Sequence, residues 1–182
     1  GTEDNRVRKL DYSIQISKIF YERFIKNAEI TLFSPNHVPG LYEAFGMPEF
    51  DDMYLKYEKD KSIPKQTIGA QELFQALLKE RAETGRIYIM NLDHCNTHSS
   101  FKDKVYMSNL CQEITLPTTP VQHIDDKEGE IALCILSAVN LGLLTDMDEL
   151  EELCDLSVRA LDEIIDYQEY PVEAAKISAQ SR

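Results

Sequence analysis

The run Ser108-Asn109-Leu110-Cys111-Gln112-Glu113-Ile114 places an amide, a thiol and a carboxylate at every second position. Read as a β-strand, it alternates side chains between two faces, so Asn109, Cys111 and Glu113 point the same way. An ordinary half-buried strand puts apolar residues on one face and leaves the other to water. Here the chemically versatile groups share a face, which predicts the wall of an active site. The chemistry such a set performs is proton and hydrogen transfer at an alcohol-bearing substrate. The plain alternative for Cys111 is a small buried hydrophobe, the common fate of a free cysteine. Asn109 and Glu113 on the same face weigh against it, because a carboxylate facing a core is costly unless paired or employed.

Other residues gain meaning only beside that strand. Cys134 lies in Ile131-Ala132-Leu133-Cys134-Ile135-Leu136 and reads as core packing unless its strand adjoins that of Cys111. Two thiols facing one cavity can pass a hydrogen atom and electrons to a substrate. Cys154 sits in an amphipathic stretch and reads as packing. The segment His94-Cys95-Asn96-Thr97-His98, with Cys111 as a fourth ligand, raises a zinc alternative. Its adjacent His-Cys pair departs from the usual zinc spacings, so a polar loop shaping a cavity mouth, hydrogen-bonded through Asn91, Asp93 and Asn96, is the better reading. The sequence contains no Gly-rich phosphate loop, nucleophile elbow or His-Glu-x-x-His pattern.

The elements that must position these residues follow from periodicity. Residues 7–28 carry Val7, Leu10, Ile14, Tyr21 and Phe24 near helical spacing, predicting a helix. Ile30 to Phe33 is a short strand, closed by the turn-rich Ser34 to Gly40. Short helices follow at 40–46 and 48–59, with Tyr42, Phe45, Tyr54, Leu55 and Tyr57 as packing residues. A longer helix over 66–83 shows Ala70, Phe74, Leu77, Leu78 and Arg81 on one face, with Gly85 at its C′ position. Arg86 to Asn91 is a strand, 93–104 a polar loop, and Ile131 to Leu136 a strand covered on both sides. A final helix over 146–168 starts at a Thr145/Asp148 capping box and buries Leu150, Leu153, Leu161, Ile164 and Ile165. Alternating helices and strands define an α/β or α+β fold.

Size and composition bound the function. The chain has 182 residues, usually one domain, with 43% hydrophobic and 28% charged residues, as in a folded globular protein. Its net charge of −13 disfavours non-specific nucleic-acid binding, because phosphates are repelled. A nucleotide held in a local pocket is compatible with that charge. No apolar run approaches the roughly 20 residues of a membrane span. Four cysteines point to a reducing compartment, hence the cytoplasm, with free or redox-active thiols. The acidic runs at 49–60 and 146–155 read as solvated helix faces. The chain opens on Gly1 without Met and closes on Arg182 without an evident terminating element, which suits a segment of a longer polypeptide.

Several motifs together resemble the catalytic large subunit of class I ribonucleotide reductase, in its bacterial and phage forms. They are Leu32-Phe33-Ser34-Pro35, Val38-Pro39-Gly40-Leu41-Tyr42, Gly85-Arg86-Ile87-Tyr88, Asp93-His94-Cys95-Asn96-Thr97-His98 and Ser108 to Glu113. Gly129 to Cys134, Leu136 to Gly142 and Asp166 to Pro171 continue the series, so the resemblance spans the whole chain. It implies that residues 1–182 are one incomplete segment of a ten-stranded α/β barrel built from two antiparallel halves. A central finger loop would carry the radical cysteine, so regular strand alternation need not hold at its tip.

By resemblance, Cys111 is that cysteine, and its thiyl radical abstracts the 3′ hydrogen of a ribonucleoside diphosphate. Glu113 is the general base on the 3′ hydroxyl. Asn109 orients the substrate hydroxyls, with Ser108 also at the substrate. Cys134 is one member of a redox pair whose partner lies upstream of this chain. The resemblance implies no cofactor or metal within the chain. A radical-generating small subunit would carry the metal, and the ATP-cone, the effector loops that bind ATP and deoxynucleotides, and the C-terminal part would lie elsewhere. Partners would be the rest of the large subunit, the small subunit, thioredoxin or glutaredoxin, and the substrate, with no membrane and no direct nucleic-acid contact. Such a segment is expected to be inactive alone. The alternatives are an inactive structural remnant and the small zinc-binding protein described above.

Overall fold

Strict alternation in Tyr12-Ser13-Ile14-Gln15-Ile16 meets an equally β-prone Ile87-Tyr88-Ile89-Met90-Asn91 far along the chain, and the two pair. The computed structural model describes residue 7 and residues 9–181. In it, β1 (Tyr12–Ile16) and β4 (Ile87–Asn91) form a parallel pair in the register Tyr12 to Ile87 through Ile16 to Asn91. The expected helix over 7–28 is therefore a strand followed by α1 (Lys18–Ile25). Apolar residues at helical spacing coincided with a period of two, and a long-range partner decided between them. The residues preceding β1 that lie at Gly1 to Arg6 and at Arg8 are outside the described set.

A second correction has the same cause. The helix expected over 66–83 begins later, as α4 (Ala70–Thr84), because Lys65–Gly69 forms β3. β3 pairs antiparallel with β2 (Glu29–Phe33), Thr31 opposite Thr67. Gly85 ends α4 in the left-handed conformation, φ 68°, with its N–H donating to the Arg81 carbonyl at 2.8 Å. Between β2 and β3 run a 3₁₀ turn at Pro35–His37, α2 (Leu41–Ala44) and α3 (Phe50–Lys59).

One core joins these elements. Ile16, Ile19, Phe20, Ile30, Leu41, Phe50, Tyr54 and Ala70 are buried together, and Phe74 on α4 stacks edge-on against Phe24 with centroids 5.1 Å apart. Tyr42, expected to pack, is exposed. Tyr54 closes the edge of β2 that β3 leaves unpaired. Its hydroxyl accepts from the Thr31 N–H at 2.6 Å and donates to the Thr31 carbonyl at 2.9 Å. Beside it, Thr31 Oγ1 donates to Glu58, which also pairs with Arg23 at 2.6 Å.

The polar loop expected at 93–104 contains a short helix, α5 (Leu92–Thr97). Its residues are poor helix formers, and side chains supply the missing stability. Asn96 Nδ2 and Thr97 Oγ1 donate to the carbonyls of Leu92 and Asp93, and Asp93 Oδ2 accepts from the Lys18 N–H at 2.7 Å. Asp93 thus caps α1, where a carboxylate meets both orphan N–H groups and the helix dipole.

The described residues divide after Leu116 into two compact units. In the second, Asp126 organises the loop that leads away from Pro117. Its carboxylate accepts from the N–H groups of Gln122, Glu128 and Gly129, which hold it below the ordinary aspartate range. Ile131 to Leu136 runs without a ladder, with Leu133 and Leu136 exposed, contrary to the expected strand. A strand needs a partner edge, and none lies beside this segment among the described residues. Then α6 (Glu149–Tyr167) and α7 (Glu173–Ser181) follow. α6 has no buried residue. Leu150, Leu153, Leu161 and Ile165 are only half-buried, Ile164 is exposed, and Asp148 caps its start without a side-chain bond. Cys154 is exposed rather than packed.

Two outcomes follow from these bonds. Tyr54→Phe leaves the Thr31 N–H and carbonyl buried without partners and should cost about 1–3 kcal/mol in urea unfolding; an unchanged midpoint would contradict the edge-closing role. For Asp126, the depressed carboxyl contributes stability present above the unfolded value of about 3.9 and lost as pH falls through the folded one. The melting-temperature gap between wild type and Asp126→Asn should therefore be largest near neutrality and close on acidification below about pH 4.

Candidate active-site turn

The two faces of the β1/β4 pair do different work. Ile14, Ile16 and Ile89 turn into the helical core. Ser13, Gln15, Tyr88 and Met90 occupy the opposite face, Ser13 beside Tyr88 and Gln15 beside Met90. The chain from Val105 to Ile114 crosses that second face. Val105 is fully buried and packs with Met90 and Leu92. Asn96 fixes the crossing by accepting from the Val105 N–H at 2.8 Å and donating to its carbonyl at 3.0 Å. Gln15 Nε2 donates to the Tyr106 carbonyl at 2.7 Å.

Beyond these anchors the chain reverses. The strand expected around Cys111 is a tight turn, with the Gln112 N–H donating to the Asn109 carbonyl at 3.2 Å and Gln112 at φ 66°. Two side chains tie its base. Asn109 Oδ1 accepts from the Ile114 N–H at 3.0 Å and lies 3.1 Å from Ser108 Oγ. Ser108 Oγ lies 2.6 Å from the Ile114 carbonyl, to which it donates. Polar groups of Ser108 and Asn109 thus take the place of a β ladder, which is why a strand-like sequence leaves strand geometry here.

The turn separates the residues that strand alternation had grouped. Asn109 is half-buried at the base, whereas Cys111 and Glu113 are exposed. Cys134 lies in the second unit, exposed and in a segment without regular secondary structure. One partner was missed from sequence. The Tyr88 phenol is held above its ordinary range, first by the neighbouring Cys111 and second by loss of hydration. Its signal was available in the alternation of β4, which puts Tyr88 and Met90 on one face.

A cavity of about 390 Å³ adjoins the turn, bounded by Ile89 and Asn91 of β4, His94 and Cys95 of α5, and Gln112 and Thr115. Cys95 is half-buried there, and burial, followed by the Asp93 charge, raises its thiol. His94 and His98 meet edge to face with centroids 5.4 Å apart. His98 Nδ1 lies near Thr97 Oγ1 and the His94 carbonyl. Among the described residues, no three of His, Cys, Asp or Glu are arranged to hold one metal ion, so His94, Cys95, His98 and Cys111 do not form the zinc site considered above.

Comparison with known proteins decides the family. The model of the ribonucleotide reductase barrel domain matches residues 1–182. The chain belongs to the ribonucleotide reductase family. It is 57% identical to the ribonucleoside-diphosphate reductase 1 subunit alpha of Escherichia coli K12 over its whole length, which is 25% of that relative. It is 59% identical to the subunit alpha of Haemophilus influenzae and 42% identical to that of phage T4, in each case across the whole chain and 25% of the relative. The chain thus spans about a quarter of the length of these reductase subunits. The barrel-domain assignment agrees with the mixed α/β architecture; the described strands form two separate pairs and do not close a barrel. No described helix is long and apolar enough to cross a membrane.

Asn109 therefore has a structural task in this reductase segment that is separable from any contact with substrate. Asn109→Ala should speed amide hydrogen exchange at Ile114, whose N–H loses its acceptor, while Asn109→Asp retains an oxygen there and keeps protection close to wild type. Equal exchange in wild type and Asn109→Ala would contradict the tie.

Proposed function

We propose that this chain is a segment of the catalytic barrel of a ribonucleoside-diphosphate reductase, which converts ribonucleoside diphosphates to 2′-deoxyribonucleoside diphosphates. The observation that carries the reading is the exposed Cys111 at the tip of an anchored turn, in a chain that belongs to the reductase family. In the reaction, a thiyl radical on Cys111 takes the hydrogen atom from C3′, leaving a thiol on the protein and a carbon radical on the sugar. Glu113 then accepts the 3′-hydroxyl proton, which eases departure of the 2′ oxygen as water. The hydrogen returns to C3′ as the product forms, restoring the thiyl radical. Two electrons and two protons come from a thiol pair that becomes a disulfide. One proton leaves on the 2′ oxygen as water, the other hydrogen forms the new C2′–H bond, and Glu113 returns its proton to the 3′ oxygen. Cys134 is one member of the pair and its partner lies outside this chain.

The geometry supports this division of labour. A radical thiol must reach a sugar carbon while its own backbone stays still, since reacting atoms need to lie about 3–3.5 Å apart. The turn meets both needs: Ser108 and Asn109 hold its base, and Cys111 stands at its tip. Asn109 orients the substrate hydroxyls with its Nδ2 amide, which the turn does not use, and Ser108 lies close by. This turn is the finger loop of a ten-stranded barrel, of which residues 1–182 supply one segment. The remaining strands come from the rest of the large subunit, and the edges of Ile131 to Leu136 are where they pair.

The working enzyme then needs a small subunit bearing the metal-dependent radical source, thioredoxin or glutaredoxin as reductant, and ATP or deoxynucleotide effectors bound outside this segment. It operates in the cytoplasm. With a full-length alpha subunit, a radical-generating subunit and a dithiol, Cys111→Ser should reduce turnover to background and Glu113→Gln should lower kcat by about 10²-fold or more. The 182-residue chain alone, given the same partners, should form no deoxynucleotide. Turnover by Cys111→Ser would overturn the assignment of the radical thiol.

A further inference from the structure

A disulfide forms only when two sulfurs meet within a narrow range of distance and torsion, so a redox thiol needs a backbone held in place. Cys134 is exposed, and Ile131 to Leu136 has no ladder to hold it. Its support lies just upstream. The Glu130 N–H donates to the Thr119 carbonyl at 2.8 Å. Glu130 Oε2 in turn accepts from the Thr119 N–H and from Thr119 Oγ1, each at 2.9 Å. One pair of residues is thus joined reciprocally, and Glu130 stands four positions before Cys134. The surroundings reinforce this clasp. Gly129 lies so close to Val121 that a Cβ there would fall 2.7 Å from the Val121 Cα. Asp126 gathers the loop between them through the N–H groups of Gln122, Glu128 and Gly129. After Glu130, the Ile131 N–H donates to Ser178 Oγ of α7 at 3.0 Å. Ala174 and Ala175 of the same helix are buried.

We propose that Glu130 is a positioning residue for Cys134, its reciprocal bonds with Thr119 fixing the backbone from which the thiol reaches its partner and the substrate. This rests on the reading of Cys134 as one member of the reducing pair. Glu130 acts through the main chain, since its carboxylate is engaged by Thr119. What the clasp requires of the side chain is an oxygen that accepts twice. A glutamine amide oxygen has the two lone pairs to take the same bonds, whereas alanine leaves the Thr119 N–H and hydroxyl without that acceptor.

The test uses the full-length alpha subunit as wild type, Glu130→Ala, Glu130→Gln, Thr119→Val and Cys134→Ser. Each protein is fully reduced and mixed with the radical-generating subunit and a ribonucleoside diphosphate. No external dithiol is supplied, so deoxynucleotide formed in the first turnover is matched by protein thiols lost. Misplacing a reacting group by about an ångström costs on the order of 10²-fold in rate. Glu130→Ala should therefore slow product formation and thiol loss together by about 10- to 100-fold, with the half-saturating substrate concentration within about twofold of wild type. Glu130→Gln should restore the rate to within about threefold of wild type, because its amide oxygen accepts from Thr119. A wild-type rate in Glu130→Ala, or a loss that Glu130→Gln does not restore, would overturn the proposal. If Glu130→Ala fails to fold, Thr119→Val decides it by removing the hydroxyl bond alone. Its rate should fall by about threefold or more, and a wild-type rate would overturn the proposal. First-turnover product from Cys134→Ser at the wild-type rate would instead refute the reading of Cys134 on which the proposal stands.

Discussion

The parallel pairing of β1 with β4 is the constraint on which the rest of the first unit depends. Two parallel neighbours cannot be joined by a hairpin, so the chain between Ile16 and Ile87 must make a long crossover. That crossover is the helical core itself: α1, the β2/β3 pair, α2, α3 and α4 are its contents. The pairing also gives the sheet two unlike faces. Isoleucines turn to the core, and Ser13, Gln15, Tyr88 and Met90 turn to the loop that carries Cys111. A slip of one residue in this register would exchange the faces, burying Gln15 and setting the isoleucines against the loop.

The turn that carries Cys111 is built by polar side chains rather than by a ladder. Asn96 grips Val105, Gln15 holds Tyr106, and Ser108 and Asn109 tie the base of the turn to Ile114. Each of these bonds joins a side chain to a backbone group, so each fixes main-chain position while leaving the tip open. The role proposed for Cys111 requires such a mount. Gly46 belongs to the same scheme, since a Cβ there would sit 2.7 Å from Leu92 Cγ and push α5, with its Asn96, away from the loop.

Local pattern was sufficient where neighbours in sequence decide the structure. β2, α3, the C-terminal Gly85 of α4, β4 and the body of α6 all lie where periodicity and turn chemistry put them. It failed where the partner is distant. β1 reads as helix because Ile14 fits both periods, and β3 because it runs straight into the strongly periodic stretch from Ala70; only their partners Ile89 and Ile30, distant in sequence, resolve them. α5 was hidden by poor helix formers whose stability comes from Asp93, Asn96 and Thr97 side-chain bonds. The site divides in the same way. The residue types at 108–113 and their resemblance to the reductases were plain from sequence, whereas the turn that separates Asn109 from the exposed Cys111 and Glu113 depends on hydrogen bonds no spacing rule encodes. Ile131 to Leu136, strand-like in composition, forms no regular element because pairing is a property of two segments.

In the proposed function, Cys111 stands at the tip of an anchored turn to meet a sugar carbon. A crystal structure of the full-length alpha subunit with a bound ribonucleoside diphosphate tests it most directly. The ribose C3′ is expected within about 3.5 Å of Cys111 Sγ, with Glu113 at the 3′ hydroxyl and the Ser108, Asn109 and Ile114 bonds intact. A ribose bound elsewhere, or a turn whose Asn109 tie has opened to admit it, would contradict the account.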